Sequence, residues 1–227
     1  MIRTALSLAA VVCLAAALPG SAVADPLTGN GGFEAGTATD SDLWSEFAGG
    51  AAGSLSERDG TNPASGSFAH RVLALGDDGL GASAGITQNS VADVGFLSLA
   101  PGSVVSGSFD ADLILGPGGV AFAEFSILNG IGALVATTGP VALTDTGPGY
   151  ETYNLAPLVV PGFGPAPADV YAAFLNLNVA AGAFAGASAE AFFDNVSVDG
   201  TTVVPEPTTA ALVAIVGMGL AVRRRRC

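Results

Sequence analysis

Between Asp25 and Val203 the apolar positions never hold a helical spacing for three turns. They fall instead into short runs that alternate with polar residues and stop at Gly/Pro clusters, the pattern of strands with one buried face. Ser67 to Leu75 alternates roughly and ends at Gly76-Asp77-Asp78-Gly79, and Val104 to Leu115 ends at Gly116-Pro117-Gly118-Gly119. Val120 to Leu128 places Phe122, Glu124, Ser126 and Leu128 on one face. Tyr150 to Leu155, Val170 to Val179 and Ala187 to Val198 complete the set. Short strands between turn signals predict an all-β sandwich, and no repeat of fixed period is present.

The two ends follow a different pattern. Residues 1–24 carry Arg3, an apolar run from Ala5 to Leu18, a break at Pro19-Gly20, and small residues at Ala22 and Ala24. That is the layout of an export signal, with cleavage by signal peptidase expected before Asp25. At the other end Thr208 to Val222 is free of charge. As a helix it spans about 22 Å, short of a hydrocarbon core of about 30 Å. Pro205 and Pro207 bar helix on one side, and Arg223, Arg224, Arg225 and Arg226 favour the cytoplasm on the other. The segment can therefore pause in the inner membrane with the body of the chain outside.

Pro205-Glu206-Pro207, the short apolar stretch and the arginine cluster, in this order, resemble the PEP-CTERM sorting signal. The resemblance implies transient anchoring in the inner membrane of a Gram-negative bacterium and processing by exosortase near Pro-Glu-Pro. It also implies delivery of the mature domain, residues 25–203, to the cell surface or extracellular matrix, where exopolysaccharide is the expected associate. The trailing Cys227 departs from the pattern. An ordinary lasting anchor is the alternative.

Charge then narrows the partners. The chain has 20 Asp and Glu against 7 Arg and no lysine, and between its ends only Arg58 and Arg71 are basic. So acidic a body is repelled by phosphate backbones, which excludes nucleic acid as a partner. Composition is 50% hydrophobic with 32 glycines, apolar enough to fold. Cys13 and Cys227 lie in the end segments, so no disulfide can staple the body.

Asn30-Gly31-Gly32-Phe33-Glu34 opens the body and Phe193-Asp194-Asn195-Val196-Ser197-Val198 closes it. With Trp44, Gly85-Ile86-Thr87-Gln88 and Pro101-Gly102 between, this resembles the galactose-binding-like jelly roll of carbohydrate-binding modules. The resemblance implies neighbouring first and last strands with a structural calcium between them, for which Glu34 and Asp194 would be the carboxylate ligands. The alternative is that both carboxylates are simply hydrogen-bonded at strand ends. Sugar rings usually stack on exposed aromatics, and Trp44, Tyr150 and Tyr153 are the candidates, with Tyr171 beside them; the 12 phenylalanines read as core.

No catalytic residue emerges. Gly81-Ala82-Ser83-Ala84-Gly85 matches G-x-S-x-G but precedes a strand-like run, and the single histidine, His70, comes before the serine. Asp110 and Asp112 share one strand face, with Glu124 on the following run, but no aromatic cleft accompanies them. The expectation is an exported, non-catalytic surface or matrix protein, an all-β jelly roll between a signal helix and a hydrophobic tail helix. A glycan-binding module is the alternative and a glycoside hydrolase the second.

Overall fold

Alternating strands with Gly/Pro stops bury their apolar faces by stacking into two antiparallel sheets. The computed structural model describes residues 24–96, 98–145, 147–162 and 170–201, among which there is no helix. The expected signal and tail helices lie outside the described residues.

One sheet orders β11 (Glu151–Val159), β8 (Val104–Leu115), β13 (Ser188–Thr201), β6 (Ala69–Leu75) and β5 (Leu55–Asp59), with β1 (Ala24–Pro26) added along the end of β13. The other orders β10 (Leu134–Leu143), β9 (Gly119–Leu128), β12 (Ala172–Ala181), β7 (Ala82–Asn89) and β4 (Ser45–Gly49). β2 (Gly36–Thr37) and β3 (Asp40–Ser41) form a small separate ribbon. Most successive strands cross from one sheet to the other, which makes the sandwich a jelly roll.

The two inner faces meet in one core. Phe109, Phe193 and Val72 come from the first sheet; Phe125, Ile127 and Leu177 come from the second. Phe33 and Leu27 close it beneath the N-terminal segment, which runs antiparallel to the last strand. Asp25 pairs with Gly200, Leu27 N donates to Val198 O, and Val196 N donates to Gly31 O. That approach needs glycine, since a Cβ on Gly31 would stand 1.9 Å from Val196 O.

β8, β9, β12 and β13 fall on runs whose alternation is visible in the sequence. β10 does not, because Gly139-Pro140 reads as a breaker. It survives as an edge strand, where proline's missing N–H costs no ladder bond, with a register shift between Thr137 and Pro140.

Candidate functional site

The outer face of the five-stranded sheet carries its own pattern. On β9 the core takes Ala121, Ala123, Phe125 and Ile127, which turns Phe122, Glu124, Ser126 and Leu128 to the outer side, where Ser126 is buried and the other three are half-buried. On β12 the outward set is Phe174, Asn176 and Asn178. Register joins these into rows across the sheet. One row reads Phe47, Gly85, Asn178, Phe122; the next reads Ser45, Thr87, Asn176, Glu124, Pro140; a third reads Asn89, Phe174, Ser126, Thr137.

The polar groups in these rows are linked. Thr137 Oγ1 donates to Glu124 Oε1 at 3.1 Å, Ser126 Oγ donates to Thr137 Oγ1 at 3.0 Å, and Asn178 Nδ2 donates to Asn176 Oδ1 at 3.3 Å. Phe47 is 39% exposed and lies over Gly85, where a Cβ would stand 2.7 Å from its Cζ. Beyond Asn89 and Ala172 the face opens into a shallow hollow of about 420 Å³ bordered by Val91, Asn129 and Val170. Neither Arg58 nor Arg71 is on this face: the first packs at the N-terminal turn, and the second pairs with Glu190 and Glu57 on the far sheet.

The aromatics that the sequence nominates for stacking lie elsewhere. Trp44 is 7% exposed, packed at 5.3 Å against Phe33, and its indole N–H donates to Asn30 O. Burial in the core makes it unavailable as a sugar platform. Tyr171 is buried as well. Tyr153 stacks on Phe109, and its hydroxyl donates to Thr144 O. Burial, then the neighbouring Glu151, pushes its pKa up to about 12. The Tyr150 hydroxyl donates to Asn62 O, and burial first, then Asp194, Asp112 and Asp110, raise its pKa. Tyr150 thus ties its segment to the loop that carries Asn62, and Tyr153 holds the connection that precedes its own strand. The phenylalanines read as core divide: Phe33, Phe109, Phe125 and Phe193 are fully buried, whereas Phe47 and Phe184 are exposed.

Glu34 and Asp194 do come to one region, beside Gly32. Glu34 Oε1 accepts from Ser67 N and Phe68 N, at 2.7 and 3.1 Å. Asp194 Oδ2 accepts from Ala64 N and Ser65 N at 3.0 and 2.9 Å, and Oδ1 from Asn195 N at 2.7 Å. Burial raises the Asp194 pKa, while those amides pull it back. Calcium needs six to eight oxygens. Here Glu34 Oε1 and both oxygens of Asp194 accept from backbone amides, and among the described residues no group of three or more His, Cys, Asp and Glu could hold a metal. The arrangement does not fit a calcium cage.

His70 is fully buried. Its Nδ1 meets Ser41 Oγ at 2.8 Å and its Nε2 meets Ser56 Oγ at 2.9 Å, while Ser56 Oγ donates to Gly85 O. That chain of donors makes Nε2 the protonated nitrogen and Nδ1 the acceptor. Ser83 sits within β7, not on a strand-to-helix turn, and is bonded to no histidine. The three acids considered for hydrolysis are split: Asp110 and Asp112 are on β8, Glu124 on β9 of the opposite sheet. Asp110 is held by Thr152 and Asn195, Asp112 by Asn62. Pro205, Glu206, Pro207, Arg223 to Arg226 and Ala22 lie outside the described residues, whereas Ala24 and Asp25 begin β1.

Solved structures share this architecture. The chain is similar to part of the enzymatically active domain of bacteriophage CBA120 tailspike protein 4, at 20% identity and a TM-score of 0.51, over 76% of this chain and 21% of that one. It is similar to part of the arabinose-bound MgGH51 α-L-arabinofuranosidase, at 14% identity and a TM-score of 0.52, over 77% of this chain and 26% of that one. It is also similar to the CBM22-1 xylan-binding domain of Paenibacillus barcinonensis Xyn10C, at 13% identity and a TM-score of 0.47, over 82% of this chain and 100% of that one. No protein-family model and no curated protein sequence matches the chain. The class so defined is a jelly-roll β-sandwich; at these identities the likeness concerns the fold.

Proposed function

We propose that the chain is an exported, non-catalytic protein of the cell surface or extracellular matrix that holds a neutral polysaccharide on the outer face of its five-stranded sheet. The observation that carries the reading is the pairing of rows: Phe47 and Phe122 flank Asn178, beside a row of Thr87, Asn176 and Glu124. Phenyl faces offer apolar area to the C–H side of a sugar ring. Carboxamides both donate and accept, which matches hydroxyl groups. Glu124 accepts from hydroxyls and repels uronates, and among the described residues no arginine is on that face to attract them. The polymer favoured is therefore uncharged.

The similarity to a xylan-binding domain and to an arabinose-bound enzyme is compatible with a saccharide ligand, but the face residues select its class. Signal peptidase cleavage before Asp25 and exosortase processing near Pro205-Glu206-Pro207 would deliver the domain to an exopolysaccharide.

Affinity electrophoresis of the full-length protein through gels containing xylan, a neutral β-glucan or alginate tests the binding. We expect retardation by a neutral polymer and not by alginate, with Asn178→Ala and Phe122→Ala each weakening it about tenfold, or about 1.4 kcal/mol. Retardation by none, or unchanged retardation of both variants, refutes the reading. The intact mass of protein recovered from its host tests processing: a species still containing Arg223 to Cys227 would refute exosortase cleavage.

A further inference from the structure

Arg58 reaches the turn of Phe33 and Glu34, the Glu34 and Asp194 carboxylates lie beside Gly32, and among the described residues none of the three side chains forms an ion pair. Arg58, on β5, is 9% exposed. Among the described residues no carboxylate oxygen lies within salt-bridge distance of its guanidinium. Instead Nε donates to Phe33 O at 2.6 Å and Nη2 donates to Glu34 O at 2.8 Å. The guanidinium carbon stands 3.2 Å over the Phe68 ring. The Arg58 amide donates to Thr39 O at 2.7 Å, and Gly36 leaves room for the stem, since a Cβ there would stand 3.1 Å from Arg58 Cδ. The Glu34 and Asp194 carboxylates accept hydrogen bonds from amides of the 60–68 loop.

We infer that Arg58 fills the role of a structural cation for the N-terminal turn, gathering the Phe33 and Glu34 carbonyls so that this end of the domain is held without calcium. A calcium ion gathers oxygens, and the oxygens available beside Gly32 are the carbonyls of Phe33 and Glu34 and the two carboxylates. Both carbonyls are committed to the guanidinium. A divalent ion at those carbonyls would sit against the like charge of the guanidinium. At the carboxylates it would have to displace amides that already occupy Glu34 Oε1 and both oxygens of Asp194. The peptide backbone thus compensates every charge here, carbonyls for the cation and N–H groups for the anions.

Thermal melting of the full-length protein in mild detergent, in calcium chloride and in excess EDTA, tests this. We expect midpoints that agree within about 1 °C, whereas a saturated calcium site would separate them by about 5 °C or more. Arg58→Met keeps the stem and removes the fork, and its midpoint is expected to fall by about 5 °C or more in both solutions. A calcium-dependent rise in the native protein overturns the proposal, as does an Arg58→Met chain that melts like the native one. Should Arg58→Met not fold, Arg58→Lys is read instead. It keeps the charge without the two-pronged geometry, so native melting by that variant also overturns the proposal.

Discussion

The ring of Phe47 occupies the space that a side chain on Gly85 would need. A Cβ on Gly85 would stand 2.7 Å from Phe47 Cζ, 2.6 Å from Asn178 Cβ and 2.5 Å from Leu177 O. The first two belong to the proposed binding face; the third is backbone of the neighbouring strand. Gly85 O also receives the Ser56 hydroxyl from the other sheet.

Replacing this glycine should therefore damage both fold and face. We expect Gly85→Val to destabilise the protein by about 2–3 kcal/mol, because the Leu177 carbonyl cannot move without breaking the ladder between β12 and β7. Polysaccharide binding should fall with it. Urea unfolding and affinity electrophoresis check the two effects, and native behaviour in both would mean that Phe47 does not rest where described.

His70 makes stability depend on pH. Burial lowers its pKa from 6.5 to about 3, so the folded chain resists a proton that the unfolded chain accepts near neutrality. Its contribution is fully present above about pH 6.5 and is lost as pH falls toward 3, with a slope approaching about 1.4 kcal/mol per pH unit. Glu46 and Asp194, whose pKa values burial raises, act in the opposite direction. Because the chain has a single histidine, a loss of about 2 kcal/mol between pH 6.5 and 5 should belong to it. Urea midpoints at the two pH values measure the loss. In His70→Gln the two should converge; a variant that loses as much as the native chain would exonerate the imidazole.

Alternation alone made half of the proposed binding face legible. Phe122, Glu124, Ser126 and Leu128 share a side of β9 because a strand's side chains alternate, and no tertiary information is needed to say so. Their partners were not legible. Asn178 meets Phe122 only because β12 lies beside β9, and Phe47 joins them only because β4 lies beyond β7. Sheet order in a jelly roll is not sequence order. Asp110, Asp112 and Glu124 show the converse, for strands adjacent in sequence belong to opposite sheets.

Trp44 and Arg58 were obscure for another reason. The single tryptophan suits a sugar platform and the core equally, and residue type alone does not say where Arg58 packs. The N-terminal turn draws both in, since Asn30 O accepts from the indole and the Phe33 and Glu34 carbonyls accept from the guanidinium. Backbone acceptors carry no sequence signal.

Asp194 separates stability from binding. It lies on the six-stranded sheet, away from the proposed polysaccharide face, and its carboxylate closes the 60–68 loop onto the last strand through Ala64 N and Ser65 N. Asp194→Ala strands those two donors and Asn195 N, at about 1 kcal/mol each once water partly replaces the carboxylate, so a total near 3 kcal/mol is expected. Asp194→Asn retains one acceptor oxygen for the loop amides and should lose roughly half as much. Neither should alter retardation by a neutral polysaccharide at a temperature where the chain remains folded. Calorimetry and affinity electrophoresis on the same preparations give both numbers. A variant that melts like the native protein would remove the carboxylate from its clasping role, whereas one that folds but no longer binds would move the polysaccharide site to this end of the sandwich.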